Sequence, residues 1–152
     1  MFYNFIFQLL IMNLDQDQVL CECAQDRLIN FVSQLESKLT IEIVLSPKLV
    51  MTMVQAEDSI DFQPFYVGEV LMTECQLLIN GAIGYGYCMG DVPQRAYAIA
   101  VIDALSFEQN SLFKDEVAAF IENEKSILTQ QKLEEYNQIL RTKVDFKIME
   151  QA

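Results

Sequence analysis

Two runs of alternating apolar and polar residues meet at Asn80-Gly81, and this pattern predicts a β-hairpin. A two-residue turn of the I′ type needs positive φ at both central positions, which Asn followed by Gly tolerates best. The turn then sets the register. Ile79 faces Ala82, Leu77 faces Gly84, Cys75 faces Gly86 and Thr73 faces Cys88, while Leu78 pairs with Ile83, Gln76 with Tyr85 and Glu74 with Tyr87. Because side chains alternate along a strand, Leu71, Thr73, Cys75, Leu77 and Ile79 form one mostly apolar face. The glycines opposite leave room for a close neighbour.

The next segment supplies that neighbour. Asp91 is placed as a helix N-cap, Gln94 completes a capping-box spacing, and Pro93 fits the first turn, where its missing N–H costs nothing. Ala96 to Leu105 leaves almost no polar face, so the helix is expected to be buried between the sheet and other helices or a partner. Asp103 is the lone charge in that run. Either it accepts hydrogen bonds from neighbouring backbone or caps another element, as a buried charge must, or it belongs to a site. No His or second acid stands at helical spacing beside it.

Leu20, Ala24, Leu28, Phe31, Val32 and Leu35 recur at three and four residues, predicting a helix from Asp15 to Leu39 with Asp15 or Asp17 as its cap and an end before Pro47. Thr40 to Val44 is open to an extended reading, Leu49 to Ala56 reads as a strand, and Ala56 to Gln63 as a polar loop. Ser111 to Glu124 reads as a helix, and a last helical segment carries Leu133, Tyr136, Leu140 and Val144. The expectation is an α+β fold: a small antiparallel sheet of three to four strands packed with an N-terminal helix and about three C-terminal helices. Residues 1–12 carry no Lys or Arg and are too short to span a membrane. They are either the product of an upstream start site, with Met12 the initiator rather than Met1, or an apolar extension that docks on a partner. Residues 13–152 read as one domain.

Several short signatures in this order resemble the PhnG family, a small subunit of the bacterial carbon–phosphorus lyase system. They are P-F-Y-V-G-E-V-L-M-T-E-C, then G-Y-G-Y-C-M-G-D-V-P-Q-R-A, then I-D-A-L, with Leu49-Val50-Met51 before them and Val144-Asp145-Phe146 after. The match is good from Leu49 to Leu105, loose in the helical flanks and absent in residues 1–12. The resemblance implies membership of a cytoplasmic complex with a nucleosidase-like subunit and a radical lyase subunit. In that complex a phosphonate is transferred to the ribose C1 of ATP with loss of adenine, before the C–P bond is cleaved. It marks Gly68, Glu69, Thr73, Gly84, Gly90, Asp103 and Asp145 as signature or interface positions and assigns none of them to catalysis.

Composition narrows the chemistry. With 10 basic against 22 acidic residues, the net charge of −12 disfavours nucleic acid and anionic lipid, and makes the chain by itself a poor holder of a nucleoside triphosphate. There is no His, hence neither the usual proton shuttle nor the commonest zinc ligand. Cys21, Cys23, Cys75 and Cys88 form no C-x-x-C pair and read as reduced core thiols, so no metal or cofactor is expected. Gly84, Gly86 and Gly90 before a helix are not read as a phosphate loop, because two fall inside a strand, no Lys follows, and Asp91 occupies the helix start. Glu69 shares the face of Leu71 unless Gly68 bulges the strand; it reads either as a partner of Arg95 or as an interface residue. No nucleophile–base–acid set is present. Three readings follow: a non-catalytic lyase-core subunit, a contributor to a composite active site with the nucleosidase-like subunit, or an acidic adaptor or self-associating protein without metabolic chemistry.

Overall fold

A computed structural model describes residues 15–107 and 112–142. The chain runs through α1 (Gln16–Glu22), α2 (Gln25–Glu36), β1 (Ile41–Glu57), β2 (Pro64–Ile79), β3 (Ala82–Met89), α3 (Pro93–Phe107) and α4 (Lys114–Arg141). The strands form one antiparallel sheet in the order β1-β2-β3, and with the helices they make an α+β fold.

The β2–β3 register is the one the turn dictates: Ile79 faces Ala82, Leu77 faces Gly84, Cys75 faces Gly86 and Thr73 faces Cys88. Asn80 and Gly81 sit at φ 51° and 85°, as a type I′ turn requires. Helix α3 then lies directly on the glycines. A Cβ at Gly84 would overlap the Ala100 carbonyl oxygen and the Ala104 side chain, and one at Gly86 would overlap the Ala96 carbonyl. Ala96, Ala100 and Ala104 recur every four residues, so a stripe without bulk on the helix meets a strand without Cβ atoms, and two backbones come into contact. Ala96, Ala98 to Ile102, Ala104 and Leu105 are all buried, together with Cys75, Leu77 and Ile79.

The flanks differ from the sequence expectation in three places. The expected helix from Asp15 to Leu39 is two helices, because Cys23 and Ala24 are extended at ψ 162° and 124°. The Arg95 guanidinium fills the break, donating to the carbonyls of Leu20 (2.8 Å), Cys21 (3.0 Å) and Cys23 (2.9 Å), so a cation on α3 satisfies the open end of α1. The two extended runs on either side of Pro47 are a single 17-residue strand, which settles the count at three strands. Pro47 is accommodated because β1 is an edge strand and its register slips between Leu45 and Lys48, where no N–H is demanded of it. The two helical segments from residue 114 onward are one helix, so among the described residues two helices precede the sheet and two follow it.

Helix α4 packs on α1 and α3. Phe120 stacks on Phe31 of α2, their ring centroids 4.2 Å apart, and Glu124, fully buried, takes a two-pronged bond from Arg27 at 2.7 and 2.8 Å. Burial of a carboxylate requires such a partner. The contact between α3 and the glycines predicts a sharp asymmetry. Gly84→Ala should destabilise the domain by about 3 kcal/mol or more through overpacking against backbone that cannot yield. Gly68→Ala, with nothing within 4 Å of the new methyl, should change stability by only a few tenths of a kcal/mol. Urea denaturation of the two variants checks this; equal effects would contradict the packing described.

Candidate functional site

Strand β3 ends at Met89, opposite Met72, whereas β1 and β2 run on together to Glu57 and Pro64. The result is a two-stranded arm that projects roughly 25 Å beyond the end of β3 at the usual rise per residue. On it Met51, Met53, Phe65, Tyr66 and Val67 are all at least half exposed, and Ile60 and Phe62 in the loop at its tip are 79% and 68% exposed. Phe62 also holds φ 52°, a left-handed conformation unusual for an aromatic residue. It is fixed by its N–H bond to the Asp58 carbonyl (3.0 Å) and by the return bond from the Asp58 N–H to Gln63 (3.0 Å). Exposed apolar side chains gathered in this number on one arm mark an interaction site, and an isolated two-stranded ribbon is only marginally stable in water.

The positions singled out in the sequence fall around the root of this arm and under α3. Gly68 faces Val54, next to a register slip that leaves Val67 as the extra residue of β2. The slip precedes Glu69, which keeps the face of Leu71 and Thr73. Glu69 is nevertheless exposed, because α3 does not reach that far along the strand. Arg95 makes no bond to it; the α1 carbonyls occupy the guanidinium instead. Thr73 is buried, and its hydroxyl donates to the Gly90 carbonyl (2.6 Å) and accepts from the Val92 N–H (3.1 Å). Gly90, at φ 86°, donates its own N–H to Leu71 (2.9 Å). Thr73 and Gly90 together therefore turn the chain from β3 into α3. The Val92 carbonyl accepts the first helical bond, from Ala96, which makes Val92 rather than Asp91 the residue at the cap. Gly84 lies under α3. Asp103 reaches the outer edge of β3 and accepts the Tyr85 N–H at 2.9 Å, while burial raises its pKa from the ordinary aspartate value. Asp145 and residues 1–12 lie outside the described residues.

The arrangement offers little to a reacting substrate. The described cations do not converge: Arg27 is held by Glu124, Lys48 by Glu74 at 3.1 Å, Lys132 by Glu22 at 2.7 Å and Arg95 by carbonyls, and Lys38 lies over the Phe113 ring. Burial, and then the neighbouring Cys88, pushes the Cys21 thiol up to about 12, and burial likewise raises Cys23 and Cys75. Thiols in that state are not nucleophiles near neutral pH. Among the described residues no three Cys, Asp or Glu side chains gather as a metal site, and no helix is long and apolar enough to cross a membrane. A groove of about 290 Å³ between α2 and the start of α3, with Pro47 at its rim, is lined by Val32, Pro93 and Tyr97 beside the acid Glu36. Its lining supplies no cation for a phosphate.

The arm itself was not visible as a site in the sequence. The available signal was a mismatch of lengths: β-prone residues continue on both sides of the 56–63 loop well beyond what the eight residues of β3 can pair. The turn at the arm's root provides a direct test. Thr73→Val removes a buried acceptor from the Val92 N–H and a donor from Gly90, and should cost about 1–3 kcal/mol, whereas Thr73→Ser should recover most of that loss. Thermal unfolding of both variants is the measurement, and a Val variant as stable as the native chain would contradict the assignment.

No curated protein matches the chain. The family model described as phosphonate metabolism protein PhnG matches residues 15–151, nearly the whole length, including the arm, the glycine-bearing hairpin and α3. The chain belongs to the PhnG family of phosphonate metabolism proteins.

Proposed function

We propose that this chain is a non-catalytic subunit of the carbon–phosphorus lyase core, and that it supports transfer of a phosphonate to the ribose C1 of ATP, with release of adenine, by holding a catalytic partner in place. The observation that carries this reading is the arm: a long apolar ribbon that a 152-residue chain builds and leaves uncovered among its described residues. Helix α3 buries Ala96, Ala98 to Ile102, Ala104 and Leu105, and the uncovered apolar surface lies on the arm.

The reaction chemistry supports the same division of labour. A phosphonate and a triphosphate bring several negative charges into one site, and Arg, Lys or metal ions are needed to stabilise them as the bond changes. Here Arg27, Lys48, Lys132 and Arg95 are tied to acids or carbonyls, and the net charge of −12 opposes the substrate. Binding and transition-state stabilisation therefore belong to other subunits, such as the nucleosidase-like and radical lyase subunits.

The purified chain is expected to show no saturable ATP binding by calorimetry and no adenine release with ATP and methylphosphonate. A core assembled without it is expected to lose activity through aggregation or loss of its partner. Micromolar ATP binding, or turnover by the chain alone, would overturn this reading.

A further inference from the structure

We propose that the open edge of β2 beside Glu69 receives a β-strand from a different protein chain, one that presents Lys or Arg towards Glu69 and apolar side chains towards the arm. This deepens the subunit reading above and rests on it.

The backbone geometry defines the edge. The Leu71 carbonyl is taken by the Gly90 N–H at 2.9 Å, where β3 leaves the sheet. In an antiparallel strand the N–H and C=O of one residue point to the same side, and those two residues away point the same way. No register slip separates Leu71 from Glu69. The N–H and C=O of Glu69 therefore face the lane that β3 occupied one step earlier, and an incoming strand would continue that lane along the arm.

The other edges of the sheet are guarded. Asp103 accepts the Tyr85 N–H on the outer side of β3, and Pro47 with two register slips blunts β1 where it crosses the body. Proteins protect edges by such devices against unwanted pairing. The edge of β2 from Glu69 to Leu71 carries no proline and no register slip, the nearest slip lying at Val67, and it is flanked by exposed Met53, Phe65 and Val67. Strand addition at such an edge takes affinity from main-chain hydrogen bonds and specificity from alternate side chains.

Charge selects the occupant. The arm carries Glu57, Asp58, Asp61 and Glu69 and no Lys or Arg, and Lys48, within the three-stranded body, is held by Glu74. Pairing with a second copy would bring these acids against their own duplicates in two chains of net charge −12 each. A basic strand from another chain meets complementary charge at the same edge.

The test uses the full chain co-expressed with the other lyase-core subunits and purified through a tag on this chain. Glu69→Pro removes the outward N–H on an edge where proline is tolerated, and Glu69→Lys reverses the charge without touching the core. Met53→Pro is the control: Met53 pairs with Glu69, so its own N–H faces the opposite edge of the ribbon. Both Glu69 variants should melt as the native chain does and bind the core about tenfold more weakly, with Met53→Pro close to native. Association of the native chain should weaken as salt is raised. Native affinity in both Glu69 variants would overturn the proposal while leaving the subunit reading intact. A native chain that co-purifies with no core subunit would overturn the subunit reading, and this proposal with it. A native homodimer that Glu69→Pro dissociates would show that a second copy occupies the edge, and would also overturn the proposal.

Discussion

The contact of the α3 backbone with the bare backbone of β3 is the constraint on which the rest of the molecule depends. Gly84 and Gly86 can lie under Ala96, Ala100 and Ala104 only if the hairpin holds one register, and that register is fixed by Asn80 and Gly81. Slipping it by one residue would place Ile83 and Tyr85 beneath the helix and expel the glycines. Once α3 is seated, Arg95 on its first turn is positioned to close the end of α1, and α1 and α2 complete the core through Val19, Leu20, Leu28 and Val32. Thr73 holds the turn through which the chain enters α3. Thr73, Gly84, Gly86 and Gly90 thus serve a single mechanical end, which is to place a helix against a hairpin at the closest distance that backbone allows.

That tight body is also the source of the arm. A helix of 15 residues covers only part of a ribbon whose strands are 16 and 17 residues long, so β1 and β2 continue past it with no layer on either face. The charges are distributed in keeping with this. Within the body, Arg27, Lys48, Lys132 and Arg95 are matched to acids or carbonyls; at the arm, acids stand beside exposed Met, Phe and Tyr. The arrangement suits a protein that contributes surface rather than reactive groups.

The sequence revealed elements governed by local chemistry. Asn80-Gly81 dictates a turn, the turn dictates a register, and the unbroken apolar run of α3 dictates burial. It was less informative where a distant residue decides the outcome. The break at Cys23 and Ala24 exists because Arg95, more than seventy residues away, is there to take the freed carbonyls. Continuity of β1 through Pro47 depends on that strand lying at the edge. The exposure of Glu69 depends on where α3 stops, so face parity placed it correctly on the strand but could not show that nothing covers it. Asp103 was open to two readings for the same reason: its partner, the Tyr85 N–H, becomes a neighbour only once α3 lies across β3.

Hydrogen exchange of the amides, measured on the isolated chain and again in the assembled complex, tests the central claim that the body is self-sufficient and the arm is built for a partner. In the isolated chain the amides of residues 73–79 and those of Gly84, Gly86 and Cys88 that face β2 should exchange only with global unfolding, while those of 49–56 and 65–70 should exchange orders of magnitude faster, as a ribbon without a covering layer opens locally. In the complex the arm should become as protected as the body. An arm already protected to the level of the body in the isolated chain, and unchanged in the complex, would contradict the account.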